Sequence, residues 1–318
     1  MRIVFAGTPR SGSTWAANVL GQAAGVRTVY EPDGPFSDVL GAMVAAKLGD
    51  YPAVPAGLAP QRYRATWDLA FAGGWPWDHV EAARAAGRRM VKLPPAARDW
   101  AILALARATA MTRKRPEHVL VKTVNASLAL EWLSATYRPR VVVLHRNPLN
   151  VVSSWMQLDM LPRRPLWDDP EVRRSLMVRL DVAPPPSDAS EAARVAWTVG
   201  LLYAGMRQAV RRHPEWIVLS HDELCREPRA GFTELYGRLG LDWTEGTDAY
   251  LTASEDPSFT AHGGNAKAHP NAVTTTVEGE SRRLVQATQY RRRLSPEQVA
   301  EVTGVLRRFD LGDWGVKD

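Results

Sequence analysis

The chain has 318 residues, of which 45% are hydrophobic and 23% charged, a balance typical of a folded globular protein that excludes an intrinsically disordered chain. Its formal net charge is +6, which reflects either a background bias in composition or attraction to an anionic ligand. The longest basic run is Arg291-Arg292-Arg293, which is too short to indicate nucleic-acid binding.

Short β-branched runs alternate with longer amphipathic segments along the chain, as is typical of a parallel sheet with crossover helices. In chain order, strands are predicted at residues 2–6, 89–92, 119–122, 140–145 and 216–220. Helices are predicted at residues 13–24, 77–87, 97–110, 128–137, 150–156, 191–212, 228–239 and 295–309. The pattern predicts an α/β fold in which residues 1–318 form one domain around a central parallel sheet flanked by helices.

Three stretches interrupt this alternation. Residues 33–76 are rich in Gly, Pro and Tyr, and residues 161–186 are rich in Pro, Arg and Trp. Because the alternation resumes after each, we interpret both as excursions over the substrate side of the domain. Residues 256–280 are polar and too long for an ordinary connection. We interpret residues 256–293 as a C-terminal segment that closes the domain.

The sequence also bears on the compartment. No apolar stretch reaches the length of about 18 residues that a membrane span needs, and residues 3–6 are too short for a signal peptide. The one cysteine, Cys225, allows no intrachain disulfide. We therefore expect a cytoplasmic protein without a membrane span.

A glycine-containing segment, Gly7-Thr-Pro-Arg-Ser-Gly12-Ser-Thr14, lies between the first strand and the first helix. Such a turn directs backbone N–H groups and the positive end of a helix dipole at an anion, so the segment predicts a phosphate-binding loop. The other interpretation is a tight connection without a ligand. An ATP-hydrolysing P-loop has Lys directly after the second Gly, but Ser13 stands there and the cation is Arg10, inside the loop.

A second polar motif, from His145 to Trp155, follows the most apolar strand. Arg146 comes at the strand end, and Asn150 can cap a helix that brings Ser154 back beside the arginine. An Arg and a Ser at the carboxyl edge of a parallel sheet form a compact site for a phosphate group. Taken alone, the motif is equally compatible with a surface ion pair and a helix cap.

Together, the two motifs resemble those of sulfotransferases that use 3′-phosphoadenosine 5′-phosphosulfate (PAPS), which have a P-loop NTPase-like fold. T-P-R-S-G-S-T-W is similar to the loop that binds the 5′-phosphosulfate, and R-N-P-L-N-V-V-S-S is similar to the motif that binds the 3′-phosphate. The resemblance implies PAPS as the donor, with Arg10 at the sulfuryl group and the loop residues Ser11, Gly12, Ser13 and Thr14 at the 5′-phosphate. It places Trp15 against adenine, and Arg146 and Ser154 at the 3′-phosphate.

Weaker matches extend the resemblance over most of the chain. His221 stands where the family has a Tyr beside adenine, and a surface His is an equally good interpretation. The family's R-K-G segment is absent as such, so its contacts with the 3′-phosphate fall to Lys267, Arg291 or Arg292, without a way to rank them. Lys122 matches the Lys of a K-T-H segment and is a candidate helper for the leaving phosphate.

The resemblance does not carry over for the catalytic base. The cytosolic branch uses the His of K-T-H, but Val124 occupies that position here. Other branches use a Glu just beyond the first helix. Glu31 stands 21 residues after Arg10, at the end of a further strand expected after that helix. Our hypothesis is that Glu31 is the general base. The competing interpretation pairs it with Arg27 or a loop arginine.

The sequence leaves the acceptor open. A small-molecule, carbohydrate or glycolipid hydroxyl, less readily an amine, fits the family, and neither a nucleic-acid nor a metal partner is predicted. Five tryptophans lie in or beside the excursions: Trp67, Trp75, Trp77, Trp155 and Trp167. They either bind such an acceptor or contribute to packing. Two alternatives remain: a P-loop kinase that uses ATP-Mg²⁺, and a non-catalytic protein that binds the bisphosphate. The oligomeric state, with a homodimer among the possibilities, is not readable from the sequence.

Overall fold

The computed structural model describes residues 1–36, 38–58, 60–75, 94–256 and 282–316. Within them, five parallel strands form a sheet with the order β2-β3-β1-β4-β5. The strands are β1 (Arg2–Gly7), β2 (Val26–Tyr30), β3 (His118–Thr123), β4 (Arg140–His145) and β5 (Ile217–Ser220). The prediction of an α/β fold with a central parallel sheet is confirmed.

Helices cover both faces of the sheet. In chain order they are α1 (Ser13–Leu20), α2 (Val39–Leu48), α3 (Gln61–Phe71), α4 (Pro95–Thr112), α5 (Leu130–Tyr137), α6 (Pro148–Leu158), α7 (Glu191–Arg212), α8 (His221–Arg226), α9 (Pro228–Leu239), α10 (Glu245–Ala253), α11 (Arg282–Thr288), α12 (Tyr290–Arg293) and α13 (Pro296–Leu306). No helix in these described ranges is long and apolar enough to cross a membrane.

Alternate residues of each strand pack into two hydrophobic cores, one on each face of the sheet. Val4, Val121 and Val143 point into a core shared with α3, α5, α6, α7 and α13. Phe5 and Leu144 point to the opposite face, where they pack with α1 and α9. This alternation follows from the two-residue period of a strand. The central strand β4 is apolar and buried from Val141 to Leu144 because helices cover both of its faces.

The first excursion is more regular than we predicted. Residues 33–76 contain α2 and α3, whose side chains join the cores. Residues 161–186 contain only short helical turns, among them a π-helical turn at Arg173–Met177. The predicted strand at 89–92, the predicted helix at 77–87 and most of the stretch 256–280 lie outside the described residues.

All five strands end at the same edge, because they are parallel. The segments that follow Gly7, Tyr30, Thr123, His145 and Ser220 therefore meet along one side of the molecule. In open parallel sheets, ligands bind beyond this carboxyl edge. The two polar motifs follow β1 and β4, which are hydrogen-bonded neighbours in the sheet.

Candidate active site at the carboxyl edge of the sheet

The loop between β1 and α1 contains two residues with left-handed backbone, Arg10 at φ 70° and Gly12 at φ 86°. Gly12 immediately precedes α1, and no side chain caps the helix there. The N–H groups of the first helical turn are therefore available to an anion, whose charge the helix dipole favours. Ser11 adds a buried hydroxyl without a hydrogen-bond partner among the described residues. The loop has the form of a phosphate site.

Gly12 also lies directly against His221, the first residue of α8. A Cβ atom added to Gly12 would stand 2.1 Å from Cδ2 of His221, whose own side chain is buried. Such a separation is far below van der Waals contact, so the loop and α8 meet only because residue 12 lacks a side chain. This contact joins the end of β1 to the end of β5.

Replacing Gly12 with alanine is expected to lower the free energy of unfolding by about 1–3 kcal/mol through the left-handed backbone alone. Displacement of the His221 ring adds to this cost. Urea unfolding would measure the change, with Gly237→Ala as the matched control. Nothing lies within 4 Å of a Cβ at Gly237 in α9, and an alanine there is expected to stabilise by roughly 0.5–1 kcal/mol. Equal stability of the two variants would contradict the close approach.

Three arginines meet beside the loop. Nε of Arg10 donates to Oγ of Ser154 at 3.0 Å, and Nη1 of Arg146 donates to the Arg10 carbonyl at 3.0 Å. Burial, together with the charges of Arg146 and Arg10, lowers the pKa of Arg293 to about 10. Among the described residues none of the three forms an ion pair. Asp222 lies near Arg146 and offsets part of this positive charge. The remaining charge attracts an anion, and a phosphate dianion would neutralise it.

Arg146 is the most deeply placed of the three, with 7% of its surface exposed. Its carbonyl accepts a 2.7 Å hydrogen bond from the Tyr203 hydroxyl, and Nη2 donates to the Gln286 carbonyl of α11. Nε is buried and has no hydrogen-bond partner in the part of the chain that the structure describes. Burial also lowers the pKa of the guanidinium. The side chain is thus held in place at its ends, and one buried donor remains open to a ligand.

An aromatic wall adjoins the cluster on the β5 side. Trp15 in α1 makes edge-to-face contacts with His221, at 6.0 Å between ring centroids, and with Phe232, at 5.2 Å. Cys225 lies one helical turn after His221, with its Sγ atom 3.6 Å from Nε2 of the imidazole. Although burial opposes the change, Cys225 and the neighbouring Asp222 raise the pKa of His221. This side of the site offers ring faces and a buried imidazole to a planar ligand.

On the other side of the loop, Glu31 directly follows β2 and forms an ion pair with Lys122, near the end of β3. Lys122 is 2% exposed, whereas the Glu31 side chain is 29% exposed. The backbone N–H of Glu31 donates to the Lys122 carbonyl at 2.7 Å. The carboxylate is therefore held by a buried cation and still reaches solvent. Val124, two residues after Lys122, is buried and apolar.

A stacked pair of aromatic rings connects the Glu31 side to the phosphate loop. Tyr51 stacks on Trp155 with 6.1 Å between ring centroids and 16° between planes. Nε1 of Trp155 donates to the Pro9 carbonyl at 2.9 Å. The charges of Asp50 and Glu31, after burial, contribute to a raised pKa of the Tyr51 hydroxyl. Trp155 thus links Tyr51 to the phosphate loop, and Tyr51 lies close enough to Glu31 to be affected by its charge.

The structure separates the C-terminal candidates. Arg291 is exposed and donates from Nε to its neighbour Tyr290 at 3.2 Å, and Arg292 is also exposed. Arg293 is the member of this run that lies with Arg10 and Arg146. The sequence could not distinguish Arg293 from the two arginines before it, because all three are consecutive residues of one short helix. Lys267 lies outside the described residues.

The tryptophans proposed for the acceptor have different roles. Trp67 and Trp155 are fully buried in the core, and Trp167 packs against it. Trp75 donates from Nε1 to Asp38 at 2.8 Å, and Trp77 lies outside the described residues. Across the ranges the structure describes, no group of three His, Cys, Asp or Glu side chains is placed to hold a metal ion.

Comparison with known proteins gives one extensive match. The model of a family described as "Sulfotransferase family" matches residues 2–245, which include both polar motifs, Glu31 and Lys122. A search of curated proteins found no match.

Several solved structures are similar at low identity. A sulfotransferase domain from the curacin biosynthetic pathway is 10% identical and has a TM-score of 0.46, with 98% of each chain covered. Mouse sulfotransferase SULT7A1, complexed with PAP, is 12% identical with a TM-score of 0.42, covering 98% of this chain and 87% of its own. Sulfotransferase STF9 from Mycobacterium avium is 14% identical with a TM-score of 0.43, covering 98% and 77%.

Proposed function

Since the chain belongs to the sulfotransferase family, we propose that it transfers a sulfuryl group from PAPS to a hydroxyl group of an acceptor. The observation that carries the proposal is the meeting of Arg10, Arg146 and Ser154 at the open N-terminus of α1. Two motifs 136 residues apart in sequence thereby form one anion site. A bisphosphorylated nucleotide needs such a site for two phosphate groups.

The residues present fit the donor. The first turn of α1, with Ser13 and Thr14, would hold the 5′-phosphosulfate. Arg146, Ser154 and Arg293 would hold the 3′-phosphate, where Arg293 takes the place that the sequence left to Lys267, Arg291 or Arg292. Trp15 and His221 supply rings for the adenine. The unpartnered Ser11 hydroxyl and Arg146 Nε are the donors that such a ligand would satisfy.

The donor supplies an activated sulfuryl group, and the remaining tasks fall to side chains of the protein. Glu31 accepts the proton from the acceptor hydroxyl as that oxygen forms its bond to sulfur. Arg10 and the helix N-terminus stabilise the negative charge that stays on the departing phosphate oxygen. Lys122 holds the Glu31 carboxylate in place through their ion pair, and its charge favours the departing phosphate.

We place the acceptor on the β2 side of the site. A cavity of about 190 Å³ lies there, and its lining includes Tyr30 and Pro32, the sequence neighbours of Glu31, together with Leu40, Leu69 and Trp75 and the polar residues Arg27, Asp38 and Thr66. A mainly apolar and aromatic wall with a few polar groups suits a ring-containing small molecule or the face of a sugar. We therefore place the acceptor among small hydroxylated molecules and carbohydrates, and we expect no metal requirement.

Binding of adenosine 3′,5′-bisphosphate (PAP) tests the donor class. A hundredfold excess over Kd stabilises the folded state by about 2.7 kcal/mol, so the thermal midpoint is expected to rise by several degrees. ATP-Mg²⁺ is expected to give a much smaller rise, because Ser13 occupies the position of the P-loop lysine. A large rise with ATP-Mg²⁺ alone would favour a kinase.

A turnover assay then distinguishes an enzyme from a non-catalytic protein that only binds the nucleotide. The protein is incubated with labelled PAPS and a panel of phenols, alcohols and sugars.

A further inference from the structure

A second carboxylate lies two residues after Glu31 and is almost completely buried. Asp33 is 1% exposed, and its two oxygens have different partners. Oδ1 accepts a hydrogen bond from Oγ1 of Thr123 at 2.8 Å, and Oδ2 accepts one from the Tyr63 hydroxyl at 3.3 Å. Thr123 directly follows Lys122 at the end of β3, whereas Tyr63 lies in α3. Asp33 therefore joins the turn after β2 to the neighbouring strand and to a helix of the first excursion.

The direction of the Thr123 hydrogen bond is fixed by its surroundings. Oγ1 of Thr123 already accepts backbone N–H groups from Asn125, at 3.2 Å, and Ala126, at 3.1 Å. A hydroxyl has one hydrogen to donate, and here Asp33 is its acceptor. A carboxylate at residue 33 accepts from both hydroxyl groups at once. An apolar residue would leave the buried Thr123 hydroxyl without an acceptor.

Glu31 needs such support because of its own backbone. Its φ is 44°, a left-handed conformation that costs a residue other than glycine or asparagine about 1–3 kcal/mol and persists only where neighbouring contacts impose it. The N–H of Gly34 donates to the Glu31 carbonyl at 2.9 Å, and the Glu31 N–H bonds Lys122. A Cβ on Gly41 would stand 2.2 Å from the Gly34 carbonyl, so α2 packs tightly on the same turn. Asp33 is the side chain that fixes this turn to β3.

We propose that Asp33 is a positioning residue of the reaction: its bonds to Thr123 and Tyr63 fix the turn that sets the Glu31 carboxylate beside Lys122. The inference rests on the proposed role of Glu31 as the base. Two consecutive residues of β3 then hold the turn, Lys122 through Glu31 and Thr123 through Asp33. The excursion that contains Tyr63 then contributes to catalysis, because it holds Asp33 through a hydrogen bond from the Tyr63 hydroxyl.

The same two hydrogen bonds act on the charge of Asp33. Burial, and less strongly the nearby Glu31, raise its pKa to about 6. The hydrogen bonds from Thr123 and Tyr63 act in the opposite direction, because both are donated to the carboxylate and favour its charged form.

The test uses Thr123→Val, which removes the hydroxyl while retaining the shape and leaving Asp33 in place. We expect kcat to fall about tenfold or more, since a small displacement of a catalytic group costs up to about a hundredfold. The KM for PAPS is expected to stay within about twofold, because the donor residues follow other strands. Thr123→Ser retains the hydroxyl and should restore most of kcat. Turnover is measured as PAP released with the best acceptor of the panel.

A matched control separates positioning from stability. Thr198 in α7 is also fully buried, and its hydroxyl donates to the Arg194 carbonyl at 3.0 Å. Thr198→Val should lower the thermal midpoint about as much as Thr123→Val and leave kcat unchanged. Equal losses of kcat in the two variants would show that Thr123 acts only through the general stability of the fold, which rejects the inference.

A double-mutant cycle shows whether the effect passes through Glu31. If Asp33 and Thr123 act by placing the base, Thr123→Val should lower the residual turnover of Glu31→Gln by less than about twofold. Independent, multiplying losses would overturn the inference. A fully active Glu31→Gln would reject the proposed base itself. An inactive Glu31→Gln beside a normal Thr123→Val would leave the base intact and reject only the role of Asp33.

Discussion

Glu31→Gln is expected to lower turnover by about two to four orders of magnitude, the range that positioned acid–base groups contribute. A carboxamide keeps the size of the side chain but cannot accept the proton of the acceptor hydroxyl. The affinity for PAP should change little, because the donor residues follow β1, β4 and β5. Single-turnover assays with PAPS and equilibrium titration with PAP measure the two quantities separately.

Two further variants distinguish the loss of a catalytic base from the loss of a charge or of stability. Glu31→Gln leaves Lys122 buried without its counter-charge, so some loss of stability is expected as well. Glu31→Asp keeps the charge but shortens the side chain by one methylene group, and it should retain measurable turnover. Glu234→Gln, on the exposed surface of α9, is the control for a change of one negative charge. Turnover of Glu31→Gln close to that of Glu234→Gln would remove Glu31 from the mechanism.

Arg146→Ala is expected to weaken PAP binding by about thirtyfold or more, since loss of a buried charged partner typically costs 2–5 kcal/mol. The guanidinium is buried, its Nε has no hydrogen-bond partner among the described residues, and it lies next to Arg10 and Arg293. Isothermal titration of the unliganded protein with PAP gives the affinity directly. Arg146→Lys keeps the charge but loses the fork of donors, so it should recover only part of the binding.

The stability of the unliganded variant distinguishes a binding role from a structural one. Arg146→Ala loses hydrogen bonds to the Arg10 and Gln286 carbonyls, but it also relieves repulsion between neighbouring cations, of which Arg146 is the buried one. We therefore expect a small change in the thermal midpoint without PAP. Arg211→Ala, which removes an exposed ion pair with Asp310, is the control for lost charge. Unchanged PAP affinity in Arg146→Ala would contradict the assignment of the 3′-phosphate site.

The elements with a strong periodic pattern were predicted well from the sequence. β4, α7 and α9 have the bounds predicted for them, because each pairs a clear apolar pattern with a clear boundary. α2 and α3 were missed inside the first excursion. α2 is apolar nearly all round and contains Gly41, so it lacks the periodicity that reveals a helix. β2 is a half-buried edge strand whose pattern is weak.

The residues of the candidate site were also predicted only in part from the sequence. Motif spacing placed Arg10, Arg146 and Ser154 on the segments that meet, but it did not show that Ser154 bonds Arg10 rather than Arg146. Arg293 and Asp33 were missed. Arg293 is one of three consecutive arginines, and the choice among them depends on the orientation of α12. Asp33 is an ordinary loop carboxylate in the sequence, and only burial against Thr123 distinguishes it.

The strand order divides the carboxyl edge of the sheet into two independently variable halves. Apart from Arg293 in α12, the residues assigned to the donor follow β1, β4 and β5, whereas Glu31 and Asp33 follow β2, and Lys122 and Thr123 end β3. Lineages could therefore exchange the segment between β2 and α4, with its cavity and aromatic lining, and acquire a new acceptor while the nucleotide half stays the same. For an engineer, this boundary beside β1 is the natural place to graft a different acceptor pocket.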